Sequence, residues 1–145
     1  MANELPTQFE LQIVTPDRSL VHEQVDEVEI PGVGGYFGVL PGHGPLLAAL
    51  TAGELWYRKG QEKTFLAIAF GFAEVLPDRV TILARLAERA EEIDAARAEA
   101  ARKRAEERLA RSESGIDYER NAISLMKGIA RLQVASKAGV ARTGR

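Results

Sequence analysis

The sequence contains no cysteine among its 145 residues. Disulfide bonds, thiolate zinc sites and a cysteine nucleophile are therefore excluded. No apolar run approaches the roughly 18–20 residues that a membrane-spanning helix needs. The opening residues lack the basic and apolar regions of a secretory signal, and they are too acidic for an organelle transit peptide. We therefore expect a soluble protein that faces the cytosol.

The sequence also lacks a large net charge: its 19 Lys and Arg residues nearly balance its 21 Asp and Glu residues, for a net charge of −2. Such a balance predicts no general affinity for nucleic acid. The distribution is uneven, however: residues 1–87 hold all 6 prolines and 8 of the 9 aromatic residues, with 6 basic and 11 acidic side chains. Residues 88–145 hold 13 alanines, with 13 basic and 10 acidic side chains. We predict two domains, strands in 1–87 and helices in 88–145.

Residues 1–87 alternate between apolar and polar side chains over short stretches that are separated by Pro-Gly, Pro-Asp and Lys-Gly turns. This period of two is typical of half-buried strands, and strands at this spacing favour an antiparallel β-sandwich or a flattened barrel. Gly71 divides two of the strand candidates, 63–70 and 72–76. The predicted core consists of Phe9, Leu11, Ile13, Val28, Ile30, Leu66, Ile68, Val75, Val80 and Ile82.

Residues 88–145 predict an antiparallel hairpin of two helices. In the second helix a mainly apolar stripe recurs at spacings of three and four, formed by Tyr118, Ala122, Leu125, Ile129, Leu132 and Ser136. Its expected partner is an alanine face of the first helix that includes Ala96, Ala100 and Ala110. Alanine buries little area, and at roughly 25 cal/mol per Å² such a hairpin is weakly held. A weakly held hairpin can detach and dock elsewhere.

The end of the chain is basic, since no acid follows Glu119. The cations after that position are Arg120, Lys127, Arg131, Lys137, Arg142 and Arg145. One interpretation is a solvated basic face, and the other is a surface for an acidic partner. A lipid surface is disfavoured because the apolar stripe lacks the large aromatic residues of interfacial helices.

Three features could carry chemistry, and each has a structural alternative. The glycine cluster of residues 32–38 lacks the Lys-Ser/Thr of a P-loop; it is either a hairpin turn or an exposed contact loop that presents Tyr36. His43 has no second ligand or nucleophile in its motif, which favours a turn held by backbone hydrogen bonds over a metal or base site. Asp94 and Arg97 form either a surface ion pair or a polar ligand site. No catalytic constellation is present, so we expect neither catalysis nor a metal.

The order and spacing of several motifs resemble the epsilon subunits of bacterial F-type ATP synthases, over essentially the whole chain. The segment GVLPGHGPL, which begins at Gly38, is similar to the family pattern G-x-x-P-G-H-x-P-L. LQIVTP from Leu11 looks like the first strand, and FGFAEV from Phe70 followed by VTILA from Val80 looks like the last strands. Ile116-Asp-Tyr and Ala130-Arg-Leu stand where the helical hairpin of the family expects them.

The resemblance implies a non-catalytic central-stalk subunit at the cytoplasmic face of the bacterial plasma membrane, without insertion into the membrane. Its sandwich would bind the gamma subunit and the rotor ring of c subunits. Its hairpin would either fold onto the sandwich or extend into the catalytic head of alpha and beta subunits and block hydrolysis. The acidic segment of the beta subunit would then meet the cations Arg120, Lys127, Arg131 and Lys137.

The resemblance also places Gly34, Tyr36, Gly38 and His43 at the contact with the rotor ring and the gamma subunit. Gly34 and Tyr36 stand where acids are often found in the family. We therefore expect a backbone or aromatic contact with the ring in this chain rather than an electrostatic one.

Ile93-Asp-Ala-Ala-Arg-Ala fits the I/L-D-x-x-R-A motif of members that bind ATP in the folded hairpin, so the resemblance makes ATP a regulatory ligand while no cofactor is required. The implied site residues are Glu88, Asp94, Arg97, Ala98, Lys127 and Arg131. Lys127 replaces an arginine, which keeps the charge but loses the fork. The two alternative functions are a free-standing ATP-binding sensor and an enzyme built on a sandwich.

Overall fold

The computed structural model of the chain describes residues 6–112 and 115–138, so the predicted cations Arg142 and Arg145 lie outside the described residues. Seven strands are followed by a short 3-10 helix at Ala90–Glu92 and by two α-helices. The strands are β1 Phe9–Val14, β2 Ser19–Val25, β3 Glu27–Gly32, β4 Gly35–Val39, β5 Leu46–Lys59, β6 Glu62–Leu76 and β7 Arg79–Arg89; the helices are α1 Ala95–Arg111 and α2 Ile116–Ala135.

The seven strands form one hydrogen-bonded sheet in the order β2-β1-β7-β6-β5-β3-β4, which folds into a sandwich. The sheet is open, so the flattened barrel is not formed. Neighbouring strands are antiparallel except β1 and β7, which run parallel with Leu11 opposite Val80. The antiparallel prediction is wrong for this pair, because alternation within a strand carries no information about the direction of a distant neighbour.

The strand β6 is continuous where the sequence predicts two strands. Gly71 adopts φ +128° and Phe70 adopts φ +63°, so the chain changes direction there without leaving the sheet. Leu50 in β5 and Ala84 in β7 both pair with Gly71, so the ladder includes the glycine on both sides. Glycine tolerates a positive φ, whereas for phenylalanine this conformation is strained.

Inward-facing side chains from all seven strands meet in one core. All ten predicted core residues are buried there, and the prediction is confirmed. Phe9, Leu11, Ile13, Leu55 and Leu66 are among the largest fully buried side chains. Full burial of each such side chain contributes about 1.5–3 kcal/mol. The sandwich therefore has a core that is complete without the helices.

The helix α1 begins at a side-chain cap, since the backbone N–H of Arg97 donates to Oδ1 of Asp94 at 3.1 Å. Alanine-rich sequence and two ion pairs support the helix further. Arg102 donates to Glu99 and to Glu106, each at 2.5 Å, and these bonds raise the pKa of Arg102 while lowering that of Glu99. Neither described helix has the length and apolarity that crossing a membrane requires.

The helix α2 packs between α1 and the strands β5 and β6. The predicted contact faces are wrong for most of their residues, although Ala122, Leu125 and Leu132 of the stripe are half-buried. Ala96, Ala100 and Ala110 are exposed, and α1 buries Ala98 and Ala105 instead. The buried residues of α2 are Gly128, Ala130 and Val134, whereas Tyr118 and Ile129 of the predicted stripe are exposed. A helix with neighbours on two sides uses small residues towards both, so a single apolar stripe does not describe it.

Candidate functional site

The hairpin and the sandwich meet through a cluster that is separate from the main core. It contains Ala67 of β6, Ala90 and Ile93 of the connection, Ala98 of α1 and Val134 of α2. Three of the five buried side chains are alanines, each of which buries little apolar area, and the half-buried Phe65, Leu132 and Ala135 pack against them. The sandwich core shares no buried residue with this cluster.

A cavity of about 230 Å³ lies between α2 and the sheet, and its polar lining includes Glu88, Lys127 and Arg131. Nη2 of Arg131 donates to Oε2 of Glu88 at 3.2 Å. Nε of Arg131 lies 2.9 Å from Oε1 of Glu88, and this buried nitrogen makes no hydrogen bond with the residues that the structure describes. The guanidinium thus lines the cavity, while its Nε is enclosed against Glu88.

A second cleft of about 650 Å³ shares Lys127, Ala69 and Leu86 with this cavity. The ammonium of Lys127 lies 5.9 Å from the centre of the Phe70 ring. The two spaces together combine cations, one carboxylate and aromatic surface. That combination suits an anionic ligand with an apolar part, since such sites are mostly apolar with a few convergent polar groups.

The remaining residues of the predicted ATP site lie at the start of α1. Asp94 and Arg97 are exposed, and the contact between them is the helix cap rather than an ion pair between side chains. Ala98 is fully buried in the hairpin cluster. Asp94, Arg97 and Ala98 are not among the residues that line the cavity. The structure thus brings together Glu88, Lys127 and Arg131.

Two of the four cations predicted to meet an acidic partner are paired with acids of the sandwich. Arg131 contacts Glu88, and Nζ of Lys137 lies 2.9 Å from both carboxylate oxygens of Glu54. Arg120 is exposed. While the hairpin lies on the sandwich, part of its basic surface is therefore paired with acids of the same chain.

The predicted rotor-ring and gamma contact lies at the β3–β4 hairpin and the turn that follows β4. Gly34 and Gly38 are exposed, and Tyr36 is 53% exposed although its hydroxyl accepts a hydrogen bond from the backbone N–H of Glu54 at 3.1 Å. Nδ1 of His43 lies 2.6 Å from the carbonyl oxygen of Gly44, and the backbone N–H of His43 donates to the carbonyl oxygen of Leu40. These bonds confirm that His43 holds a turn. The glycine cluster is thus a hairpin turn that also presents an aromatic side chain.

An exposed apolar strip crosses the sheet, and the sequence pattern did not reveal it. Phe72 of β6 pairs with Leu83 of β7 and with Ala49 of β5, and Leu83 pairs with Val14 of β1. Phe72 and Leu83 are more than half exposed, as is Leu47 at 72%. Contiguous exposed apolar surface marks an interaction site. The sequence did offer one signal: β6 and β7 carry apolar residues on the exposed face as well as on the buried face, including Phe72 and Leu83.

The connection between the domains contacts the β1–β2 turn through an ion pair that sequence reasoning also missed. Arg18, in the β1–β2 turn, donates to both carboxylate oxygens of Glu92, at 3.2 and 2.5 Å. These bonds lower the pKa of Glu92 and raise that of Arg18. Arg18 and Glu92 are distant in sequence, so no local pattern could have joined them.

These features define a β-sandwich with a docked helical hairpin, built from contact surfaces rather than from a catalytic centre. Among the described residues no group of three or more His, Asp or Glu side chains could hold a metal ion. The sequence models of the ATP synthase delta/epsilon chain match almost the whole length, the beta-sandwich domain over residues 8–90 and the long alpha-helix domain over residues 91–136.

Curated relatives agree with this match. The ATP synthase epsilon chain of Syntrophobacter fumaroxidans is 52% identical over 129 residues, which cover 89% of this chain and 96% of that one. The epsilon chain of Koribacter versatilis is 57% identical over 101 residues, covering 70% and 71% of the two chains. A chain in the Euglena gracilis mitochondrial ATP synthase structure, which contains OSCP, F1 and c-ring, matches with TM-score 0.81 and 27% identity over 92% of this chain and 84% of that one.

The chain belongs to the ATP synthase delta/epsilon family. As an epsilon-type chain it is a non-catalytic central-stalk subunit of an F-type ATP synthase.

Proposed function

We propose that the sandwich couples the rotor ring to the catalytic head, while the hairpin is a movable inhibitor of ATP hydrolysis. The sandwich binds the gamma subunit and the c-ring at the cytoplasmic face of the plasma membrane. The hairpin leaves the sandwich, extends into the head, and meets an acidic segment of the beta subunit with its basic residues. The related Euglena chain comes from an assembly of F1 and c-ring, which supports this position for the subunit.

The observation that carries the proposal is the separation of the two apolar clusters. Because no buried residue of the sandwich core belongs to the hairpin cluster, undocking leaves the main core intact. The docking surface is rich in alanine and is completed by the ion pairs of Arg131 and Lys137. Alanines lose little on exposure and charged groups are solvated by water, so the undocked state is accessible.

The surfaces for gamma and the ring are the apolar strip at Phe72 and Leu83 and the exposed hairpin that carries Tyr36. Burial of exposed aromatic and aliphatic side chains is the usual source of affinity at a protein interface. Glycine at position 34 leaves the turn between β3 and β4 without an acid, which supports a contact made by backbone and aromatic groups.

Deleting residues 90–145 tests the inhibitory role, and the deletion begins at 90 because β7 ends at Arg89. In the reconstituted complex we expect ATP hydrolysis to rise several-fold, since the blocking element is gone. The truncated chain should still elute with the gamma subunit on gel filtration. Unchanged hydrolysis would contradict the inhibitory role. A full-length chain that forms no complex with gamma would favour the free-standing sensor.

We propose further that ATP binds the docked hairpin at the cavity beside Arg131. The guanidinium of Arg131 and the ammonium of Lys127 suit phosphate oxygens, and Glu88 suits a hydroxyl or amine donor. The adjoining cleft provides room for the apolar part of the nucleotide. The family resemblance adds Asp94, Arg97 and Ala98 at the start of α1. ATP bound there would hold the hairpin folded, because binding to one state stabilises that state.

Titration calorimetry of ATP into the full chain tests this binding. We expect a dissociation constant in the millimolar range or tighter, weakened about tenfold or more by Arg131→Gln, because a charge-assisted bond contributes about 1.5–3 kcal/mol. Lys103→Gln, on the exposed part of α1, is the matched control and should bind like the parent. Binding that survives Arg97→Ala but not Arg131→Gln would confine the site to the cavity. Absence of binding would refute the proposal.

A further inference from the structure

Among residues 6–112 and 115–138, Glu54 is the one buried charged side chain, at 7% exposure. It lies in β5, and both of its carboxylate oxygens accept hydrogen bonds from Nζ of Lys137 at 2.9 Å. Lys137 follows the end of α2, in the last turn that the structure describes. The contact therefore joins a residue just after α2 to the middle of strand β5.

The ammonium of Lys137 has a second partner. It lies 4.7 Å from the centre of the Phe65 ring, and Phe65 itself packs against the hairpin cluster. A cation over an aromatic face is attracted by the ring quadrupole. The carboxylate and the ring together hold this lysine in one place, whereas a lysine on a free surface samples many rotamers.

A buried ion pair is a weak way to stabilise a fold, because desolvation of the two charges offsets much of their attraction. Apolar side chains in the same place would hold the hairpin more firmly, but they would expose an apolar patch whenever it left. Glu54 and Lys137 avoid that cost, since water solvates both charges in the undocked state. Such a pair suits a surface that opens and closes repeatedly.

We propose that Glu54 and Lys137 form a latch that holds the hairpin docked, and that Tyr36 connects this latch to the exposed β3–β4 hairpin. The proposal rests on the movable hairpin proposed above. The latch determines how often the hairpin leaves the sandwich, and a contact made at Tyr36 changes that frequency.

The connection follows from two consecutive residues of β5. The N–H of Glu54 donates to the Tyr36 hydroxyl at 3.1 Å, so the residue that binds Lys137 also supports Tyr36. At Gly53 a Cβ atom would lie 2.6 Å from the same hydroxyl and 2.8 Å from Cβ of Pro31, so the ring lies directly against the backbone there. A partner that displaces the exposed ring removes the bond to Glu54 and loosens the backbone that presents its carboxylate.

Thiol labelling of the full chain measures this opening, since the chain has no cysteine of its own. Ala67→Cys places a thiol in the hairpin cluster beneath α2, where the native side chain is 5% exposed beside the cavity, so the thiol reacts faster when the hairpin leaves. Ala73→Cys places a thiol in the sandwich core, where it reacts only when the sandwich unfolds. The pair of reporters separates undocking from unfolding.

We expect Lys137→Gln to raise the labelling rate at position 67 by about tenfold or more, because the Glu54 charge is then buried without its partner. Lys103→Gln should leave the rate unchanged, and the double variant Glu54→Gln with Lys137→Gln should label more slowly than Lys137→Gln alone. Tyr36→Phe should raise the rate by up to about threefold, the effect of losing one neutral hydrogen bond that is made only while the hairpin is docked. Labelling at position 73 should not change in any of these variants.

Equal rates at position 67 for Lys137→Gln and Lys103→Gln would overturn the latch. A matching rise at position 73 would overturn it as well, because the pair would then support the whole sandwich. An unchanged rate in Tyr36→Phe would overturn the connection to the β3–β4 hairpin. None of these outcomes depends on hydrolysis by the complex, so a failure of the latch is distinguishable from a failure of the inhibitory role.

Discussion

Gly71→Ala is expected to lower the free energy of unfolding of the sandwich by about 3 kcal/mol or more. Gly71 has φ +128°, a conformation that an L side chain rarely adopts. A Cβ atom there would lie 1.9 Å from the carbonyl oxygen of Leu83 and 2.9 Å from its carbonyl carbon. Both obstacles are backbone atoms of the paired strand β7, so no rotation of a side chain can relieve the overlap.

Urea unfolding followed by the fluorescence of Trp56, the one tryptophan, measures this effect. Gly34→Ala is the matched control, because no atom of the described residues beyond its chain neighbours lies within 4 Å of its Cβ position. We expect that control to stay within about 0.5 kcal/mol of the parent. Equal midpoints for the two variants would show that β6 and β7 separate at little cost at this point. The conclusion that Gly71 is needed for the change of direction in β6 would then be wrong.

Leu11→Ala is expected to lower the free energy of unfolding by about 2–5 kcal/mol, through lost burial and the cavity that remains. Leu11 is fully buried between β2 and β7 and lies in the sandwich core rather than in the hairpin cluster. The loss should therefore appear in the transition of the sandwich, measured by the same urea titration.

The control for Leu11→Ala is Leu47→Ala, which makes the same chemical change at a side chain that is 72% exposed. The isolated chain should tolerate that change within about 0.5 kcal/mol. A loss below 1 kcal/mol for Leu11→Ala would contradict the assignment of Leu11 to a closely packed core.

The strands and the core could be predicted because their cause is local. A strand with one face in a core must alternate, so Phe9, Leu11 and Ile13 indicate their burial from position alone. The full length of β6 could not be predicted, since Gly71 is also typical of a turn and only the pairing with β5 and β7 shows that the strand continues. The parallel pairing of β1 with β7 likewise depends on a neighbour that is distant in sequence.

The candidate site could be predicted only in part, for a related reason. Glu88 and Arg131 were associated through a family resemblance, and the structure brings them together. Glu54 was missed because a single acid in a strand is typical of a solvated face, and only the placement of α2 turns that face into a buried one. The buried face of α2 was mispredicted as one apolar stripe, because the helix contacts α1 on one side and the sheet on another.

The parallel pair of β1 and β7 has a consequence for how the chain acquires its structure during synthesis. Glu10 pairs with Arg79, so the first strand gains its second neighbour only after almost the whole sandwich has left the ribosome. Contacts between distant segments must first overcome loop-closure entropy, and folds that depend on them form slowly. The helices make mostly local contacts and form faster, but their docking surface on β6 depends on the slower step. Because both helices follow β7 in the chain, every strand of the sandwich is synthesised before the hairpin, and the hairpin is the last part of the molecule to reach its place.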